Sequence, residues 1–272
     1  MKTVREPAVA GMFYPSSPSK LASEIKSHLE SVQLEKSYEK IFGIISPHAG
    51  YTYSGRTAAH AYKTIENKNY KTVVVISPSH REYFPGISIY SGDAYKTPLG
   101  EIELDKEMIA KLVEDNGYIF EGLNGHRAEH ALEVQLPFLQ TVLGSFNLVP
   151  IVMGDQRKIF VEGLAEKLAQ IVNDETLIVA SSDLSHFHSK ENAAKLDSIV
   201  EKRISEFDYN GLLDDLEDQK CEACGGGPIA VLLKTAELKG IRNAEVVSRT
   251  DSGDVTGDGS EVVGYLSAVI FS

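Results

Sequence analysis

Apolar and polar positions alternate in blocks along the chain, and two of the blocks follow one plan. Ile44-Ile45-Ser46-Pro47-His48 is an apolar run ending in Ser-Pro and a histidine. Val74-Val75-Ile76-Ser77-Pro78-Ser79-His80 repeats the plan with one extra residue. Runs this rich in Val and Ile, bounded by turn residues, read as buried strands of a parallel sheet. The residues between them read as a crossover helix over Gly55 to Ile65. A βαβ unit follows, in which two neighbouring strands point the same way. Both histidines then lie just past carboxyl ends of parallel strands, the edge where open α/β sheets keep their ligands. A looser third copy, Leu177-Ile178-Val179-Ala180-Ser181-Ser182-Asp183, is followed by His186.

The remaining pattern completes an α/β fold. Residues 1 to 18 carry Pro7, Pro15 and Pro18, too many for a helix, and their apolar content predicts a segment lying against the body. Leu21, Ile25, Leu29 and Val32 mark one face of a helix capped near Ser19. Short antiparallel strands are expected at Ile87 to Tyr90 and Ile102 to Leu104, then a helix from Asp105 to Asp115. A strand over Phe146 to Met153 precedes helices at Val161 to Val172, Glu191 to Phe207, Tyr209 to Leu216 and Ile229 to Leu238. Strands at Val246 to Ser248 and Val262 to Phe271 flank a turn-rich loop, Thr250 to Ser260. The order predicts a mixed, mostly parallel sheet flanked by helices, in a single domain over 1–272.

Charge narrows the partners. The chain holds 39 acidic and 27 basic side chains, a net charge of −12, which repels phosphate backbones and argues against nonspecific nucleic-acid binding. No apolar run approaches the ~20 residues needed to span a bilayer. The first residues show no secretory or lipidation signal, and two cysteines do not make a disulfide scaffold, so a cytoplasmic protein is expected.

Two histidines at equivalent strand ends, plus one anionic ligand, make an open metal site suited to iron, copper or zinc. Cys224 is the candidate third ligand. It is followed by Gly225-Gly226-Gly227-Pro228 and a helix start, a context expected to lower its thiol pKa. Asp183 either caps a turn or orients a histidine. His186 is an acid–base group or a further ligand. The Tyr51 loop, Ala49 to Gly55, leads into a helix and can present N–H groups to an anion. His126-Arg127-Ala128-Glu129-His130 matches the H-x-x-E-H of inverted zinc peptidases, but Gly125 places His126 at or beyond a helix end. His130 and Glu133 are instead expected to line or support the cleft. Cys221 and Cys224 form C-x-x-C, far downstream of where a thioredoxin-like motif belongs.

Several blocks resemble one family. They are Ala8 to Pro15, Ser46 to Tyr51, Ser77 to His80, Glu129 to Pro137, Ser182 to His186, Cys224 to Ile229, and Asp254 to Asp258 with Val262 to Tyr265. In this order, and over essentially the whole chain, they resemble Memo proteins, called AmmeMemoRadiSam system protein B in prokaryotes. The resemblance implies a fold like that of class III (LigB-like) extradiol dioxygenases, which use non-heme iron. It implies His48, His80 and Cys224 as the metal-binding set, with Asp183 and His186 beside them; Asp183 and His186 are the expected catalytic groups, and Tyr51, Phe13, His130 and Glu133 are expected about the cleft. It further implies a radical-SAM protein and an AMMECR-type protein as partners, and a eukaryotic relative that binds phosphotyrosine peptides. The chain departs from the animal relative at Phe13, where that protein has Trp. It departs from the dioxygenases at Cys224, where they have a carboxylate.

The expected function is a redox enzyme with Fe(II), or copper or zinc, in the His/His/Cys cleft, acting on a small molecule. The rivals are a module that docks a peptide or small anion in the same cleft, and metal-free nucleophilic chemistry by Cys224 with a histidine.

Overall fold

A computed structural model describes residues 2–272. In chain order the elements are β1 (Val4–Arg5), α1 (Pro18–Glu30), β2 (Ile41–Ser46), α2 (Tyr51–Thr64), β3 (Thr72–Pro78), β4 (Ile87–Tyr90), β5 (Ala94–Thr97), β6 (Gly100–Glu103) and α3 (Lys106–Val113). They continue with β7 (Ile119–Gly122), α4 (Gln135–Leu143), β8 (Asn147–Met153), α5 (Lys158–Ile171), β9 (Thr176–Ser181), β10 (His186–His188) and α6 (Lys190–Ser205). The chain ends with α7 (Tyr209–Glu217), α8 (Gly226–Leu238), β11 (Asn243–Asp251), α9 (Gly253–Thr256) and β12 (Val262–Phe271).

Nine strands form one sheet in the order β10-β12-β2-β9-β3-β8-β4-β7, with β11 on β12. The centre, β2-β9-β3-β8, is parallel, and β12 and β4 join it antiparallel. Every residue of β2, β3 and β9 is buried. This is why their sequences are continuous apolar runs rather than alternating ones. Helix α8 packs on β2, β9 and β3, with α5 and α7 against it, while α2 packs on β2, β11 and β12 beside α1 and α4. Gly43 of β2 lets α8 approach, because a Cβ there would sit 2.4 Å from Leu232 Cδ1 and 2.7 Å from the Ile178 carbonyl oxygen.

The strands ending in His48 and His80 share a direction, but they are not neighbours. Strand β9, the third copy of the pattern, lies between them and pairs with both. Burial on both faces makes all three strands alike in sequence, so their order is not written in the pattern. Helix α2 begins at Tyr51, not Gly55, because Tyr51 is buried against Tyr14 and Phe138 and pulls the preceding loop into the first turn. Strand β7 has too little apolar character to be read from sequence.

The N-terminal segment is held by a buried ion pair. Glu133, fully buried, accepts from the Arg5 guanidinium, from Ala8 N at 2.8 Å, from Val9 N at 3.1 Å and from the Tyr14 hydroxyl. Arg5 also donates to the carbonyls of His126, at 2.9 Å, and Glu129, at 2.6 Å. The pair thus ties residues 5–14 to the irregular stretch 125–134. Glu133→Ala strands a buried guanidinium and should lower stability by about 3–5 kcal/mol. Glu133→Gln, which still accepts, should cost less, and urea unfolding of the two variants measures both effects.

Candidate metal centre

Three strand ends and one distant loop build the site. His48 follows β2 by two residues, His80 follows β3 by two, and Asp183 follows β9 by two. Cys224 arrives on the loop before α8. Ligand atoms of His48, His80 and Cys224 all lie within 4.8 Å of one another, and Cys224 Sγ is 3.1 Å from His48 Nε2. His48 is fully buried and His80 is exposed, so the cluster opens to solvent on one side.

The sulfur is placed by backbone contacts. Cys224 N donates to the Asp183 carbonyl at 3.2 Å, and Asp183 N donates to Cys224 Sγ at 3.3 Å. Gln156 Nε2 donates to the Cys224 carbonyl at 2.8 Å, and Gly225 N donates to Ser182 Oγ at 2.9 Å. A Cβ on Gly225 would come within 2.1 Å of the Ser181 carbonyl oxygen. Only glycine lets this loop dock onto the end of β9.

Each histidine has its own support. His48 N donates to Asp183 Oδ1 at 2.7 Å, while its ring Nδ1 meets Ser181 Oγ at 2.9 Å. His80 Nδ1 meets Glu129 Oε1 at 3.0 Å, and His80 N donates to Glu129 Oε2 at 2.5 Å. Glu129 Oε1 also accepts from the N–H groups of His130 and Ala131 at 2.9 Å. His130 Nδ1 comes to 3.2 Å from the same oxygen, but out of line for a hydrogen bond, so His80 is the ring Glu129 orients. Asp183 does not orient a histidine ring as expected. It holds the His48 backbone instead, and its other oxygen stays 4.0 Å from Nε2. Ser181 and Glu129 orient the rings. In the sequence both are hidden, one as a strand residue and one inside a misleading motif.

The electrostatics leave His48 neutral, the Cys224 thiol protonated and Glu129 ionised. Burial, then the neighbouring His80 and His130, push the His48 pKa well below its ordinary value. Burial would raise the Glu129 carboxyl, but the nearby His130 and His80 and the Ala131 N–H outweigh it and hold the group well below the usual carboxylate range. Burial pushes the Cys224 thiol up, and Asp183 adds to this. The lowering expected from the helix start is therefore overridden, because the sulfur is packed among protein atoms. A metal ion at the cluster reverses that preference by stabilising the thiolate. Two neutral imidazoles and one thiolate fit a metal of intermediate softness, so the residues present suit iron, copper or zinc.

The other candidate residues divide. His186 opens β10, half-buried, and lines with Cys224 a cavity of about 1000 Å³ that also touches Leu184, Leu213 and Arg157. The His130 ring lies 5.4 Å from that of His48 and 4.8 Å from that of His80, with Phe13 over it at 4.7 Å. Tyr51, expected to line the cleft, is buried with its hydroxyl on the Val134 carbonyl at 2.8 Å, while Glu133, expected to line or support the cleft, supports it through Arg5. In the Tyr51 loop the Tyr51 N–H already donates to the Phe13 carbonyl at 2.8 Å. Cys221 and Cys224 are both free thiols, and burial pushes Cys221 up to about 11.

The Memo-like protein family model matches residues 5–269. The chain belongs to the Memo family. A MEMO1 family protein of Thermoplasma volcanium is 38% identical over 268 residues, covering 98% of each chain. One from Methanocaldococcus jannaschii is 37% identical over 287 residues, covering 99% of this chain and 100% of that one. The crystal structure of an uncharacterized protein from Escherichia coli K12 superposes with a TM-score of 0.56 at 12% identity, over 85% of this chain and 100% of that one, and so shares the fold. Among the described residues no helix is long and apolar enough to cross a membrane.

In this Memo chain the H-x-x-E-H stretch is irregular, and α4 starts only at Gln135, so its histidines share no helix face. His126 is buried between the Tyr95 hydroxyl, 2.6 Å from Nδ1, and the Ser88 carbonyl, 3.2 Å from Nε2. Burial pushes its pKa down to about 3. The unfolded chain takes up the proton near pH 6.5 and the folded chain does not, so acid favours unfolding. Between pH 7 and 5 this residue should remove about 2 kcal/mol of stability. Urea midpoints across that range should fall less steeply in His126→Gln.

Proposed function

We propose that this Memo protein is a metal-dependent redox enzyme, with Fe(II) held by His48, His80 and Cys224 and with copper or zinc as the competing occupants. The observation that carries the reading is the convergence of two ring-anchored imidazoles and one sulfur within 4.8 Å, beside a cavity large enough for a small molecule. When bound, the metal supplies Lewis acidity, one-electron chemistry and open coordination positions. The chain supplies the rest. His48 is sealed from water. His186, at the wall shared by Cys224 and the cavity, gives or takes a proton at the substrate. Leu184, Leu213 and Leu216 offer an apolar wall. The Memo resemblance, which implies a fold like that of class III extradiol dioxygenases, supports oxidation over hydrolysis, while the thiolate in place of a carboxylate points away from simple ring cleavage. The rival reading, a module docking an anion at the Tyr51 loop, is weakened because the Tyr51 N–H is already bonded to the Phe13 carbonyl.

Untagged protein purified without oxygen from iron-replete cells should carry about one equivalent of metal, and X-ray absorption at the iron, copper and zinc edges identifies it. His48→Ala, His80→Ala and Cys224→Ala should each drop the content below about a tenth of an equivalent. Wild-type protein that holds no metal under these conditions rejects the proposal.

A further inference from the structure

We propose that Ser181, locked by Gln135 and Tyr62, fixes the tautomer of His48 so that Nδ1 carries the proton and Nε2 is left bare toward Cys224 and the cation site. The functional meaning rests on the metal-centre reading above, but the tautomer itself does not.

The relay starts on α2. Tyr62 is fully buried and its hydroxyl lies 2.6 Å from Gln135 Oε1. Gln135, also buried, opens α4. On its far side Gln135 Nε2 is 3.0 Å from the Pro47 carbonyl oxygen and 2.7 Å from Ser181 Oγ. Flipping the amide would set its oxygen against that carbonyl, acceptor on acceptor, so the NH₂ group must face Pro47 and Ser181. Ser181 Oγ has one hydrogen and two lone pairs. Its hydrogen goes to the Ala131 carbonyl at 2.7 Å, a group that can only accept. One lone pair takes the Gln135 amide. What remains for His48 Nδ1, at 2.9 Å, is a lone pair. Nδ1 must therefore donate. In a neutral, fully buried imidazole this leaves Nε2 without hydrogen, 3.1 Å from Cys224 Sγ. His80 Nδ1 faces the carboxylate of Glu129 instead, an acceptor that sets a proton on that nitrogen. One imidazole is thus set by a neutral relay and the other by a charge. Tyr62, Gln135 and Ser181 are positioning residues, and none of them is a metal ligand.

The test is nuclear magnetic resonance on metal-free protein labelled with ¹⁵N-histidine, at pH 7.5. Two-bond proton–nitrogen correlations report which ring nitrogen is protonated, and the signals lost in His48→Gln assign the ring. Wild-type His48 should show Nδ1 protonated and Nε2 bare. Ser181→Ala should give a mixture or the opposite tautomer, and Gln135→Met, which frees the serine hydroxyl to turn, a partial shift. His80 should stay unchanged in both. Wild-type His48 protonated on Nε2 overturns the proposal, whether or not any variant folds. So does a folded Ser181→Ala protein with the wild-type tautomer. A second arm titrates Zn(II) and Fe(II) against a competing chelator. Affinity should fall about 10–100-fold in Ser181→Ala, as for other groups that orient a ligating histidine. Failure of wild-type protein to bind either ion would reject the metal reading while leaving the tautomer result standing.

Discussion

The sulfur of Cys224 and the Nε2 of His48 meet at 3.1 Å across 176 residues of chain, and the architecture of the site follows from holding them there. Parallel strands make the meeting possible, because they deliver all their carboxyl ends to one edge. Strand β9 makes it accurate. Its end contributes Ser181 to the histidine ring, Ser182 to the glycine loop, and Asp183 to both partners. A single strand terminus therefore sets both halves of the contact, and the bare backbone of Gly225 is what lets the second half come close.

The centre is surrounded by groups that leave its donors little freedom. Burying Glu129 beneath His80 is costly in isolation, and three N–H donors plus the imidazole offset that cost. The loop that carries Glu129 has no regular structure of its own. Arg5 supplies the order by bonding two of its carbonyls from below, and Glu133 anchors Arg5 in turn. The N-terminal segment is thus part of the scaffold of the site, although it reaches no ligand atom of the cluster.

Occupancy and electrostatics are coupled. Without a cation the buried thiol keeps its proton and the His48 imidazole stays neutral. A metal bound there would replace that proton and turn the sulfur into an anion where solvent could not. The opening beside His80 and the cavity beside Cys224 and His186 lie on accessible sides of an otherwise sealed cluster.

Much of this is legible in the residues. Burial on both faces forces continuous Val and Ile runs, so the central strands declare themselves, and Ser-Pro-His and Ser-Pro-Ser-His at the ends of two of them place the histidines. Glycines after Cys224 announce a close backbone approach. The order of the strands is not legible, because fully buried strands look alike and β9 joins β2 and β3 from more than a hundred residues away. Nor are the partners of each ring nitrogen. Glu129 reads as part of a peptidase motif, Tyr51 and Glu133 read as cleft residues, and the Cys224 thiol reads as acidic. Local pattern records which way a side chain faces on its own element. Whether a carboxylate meets an arginine or a histidine, and whether a sulfur is solvated, is settled only when segments distant in the chain pack together.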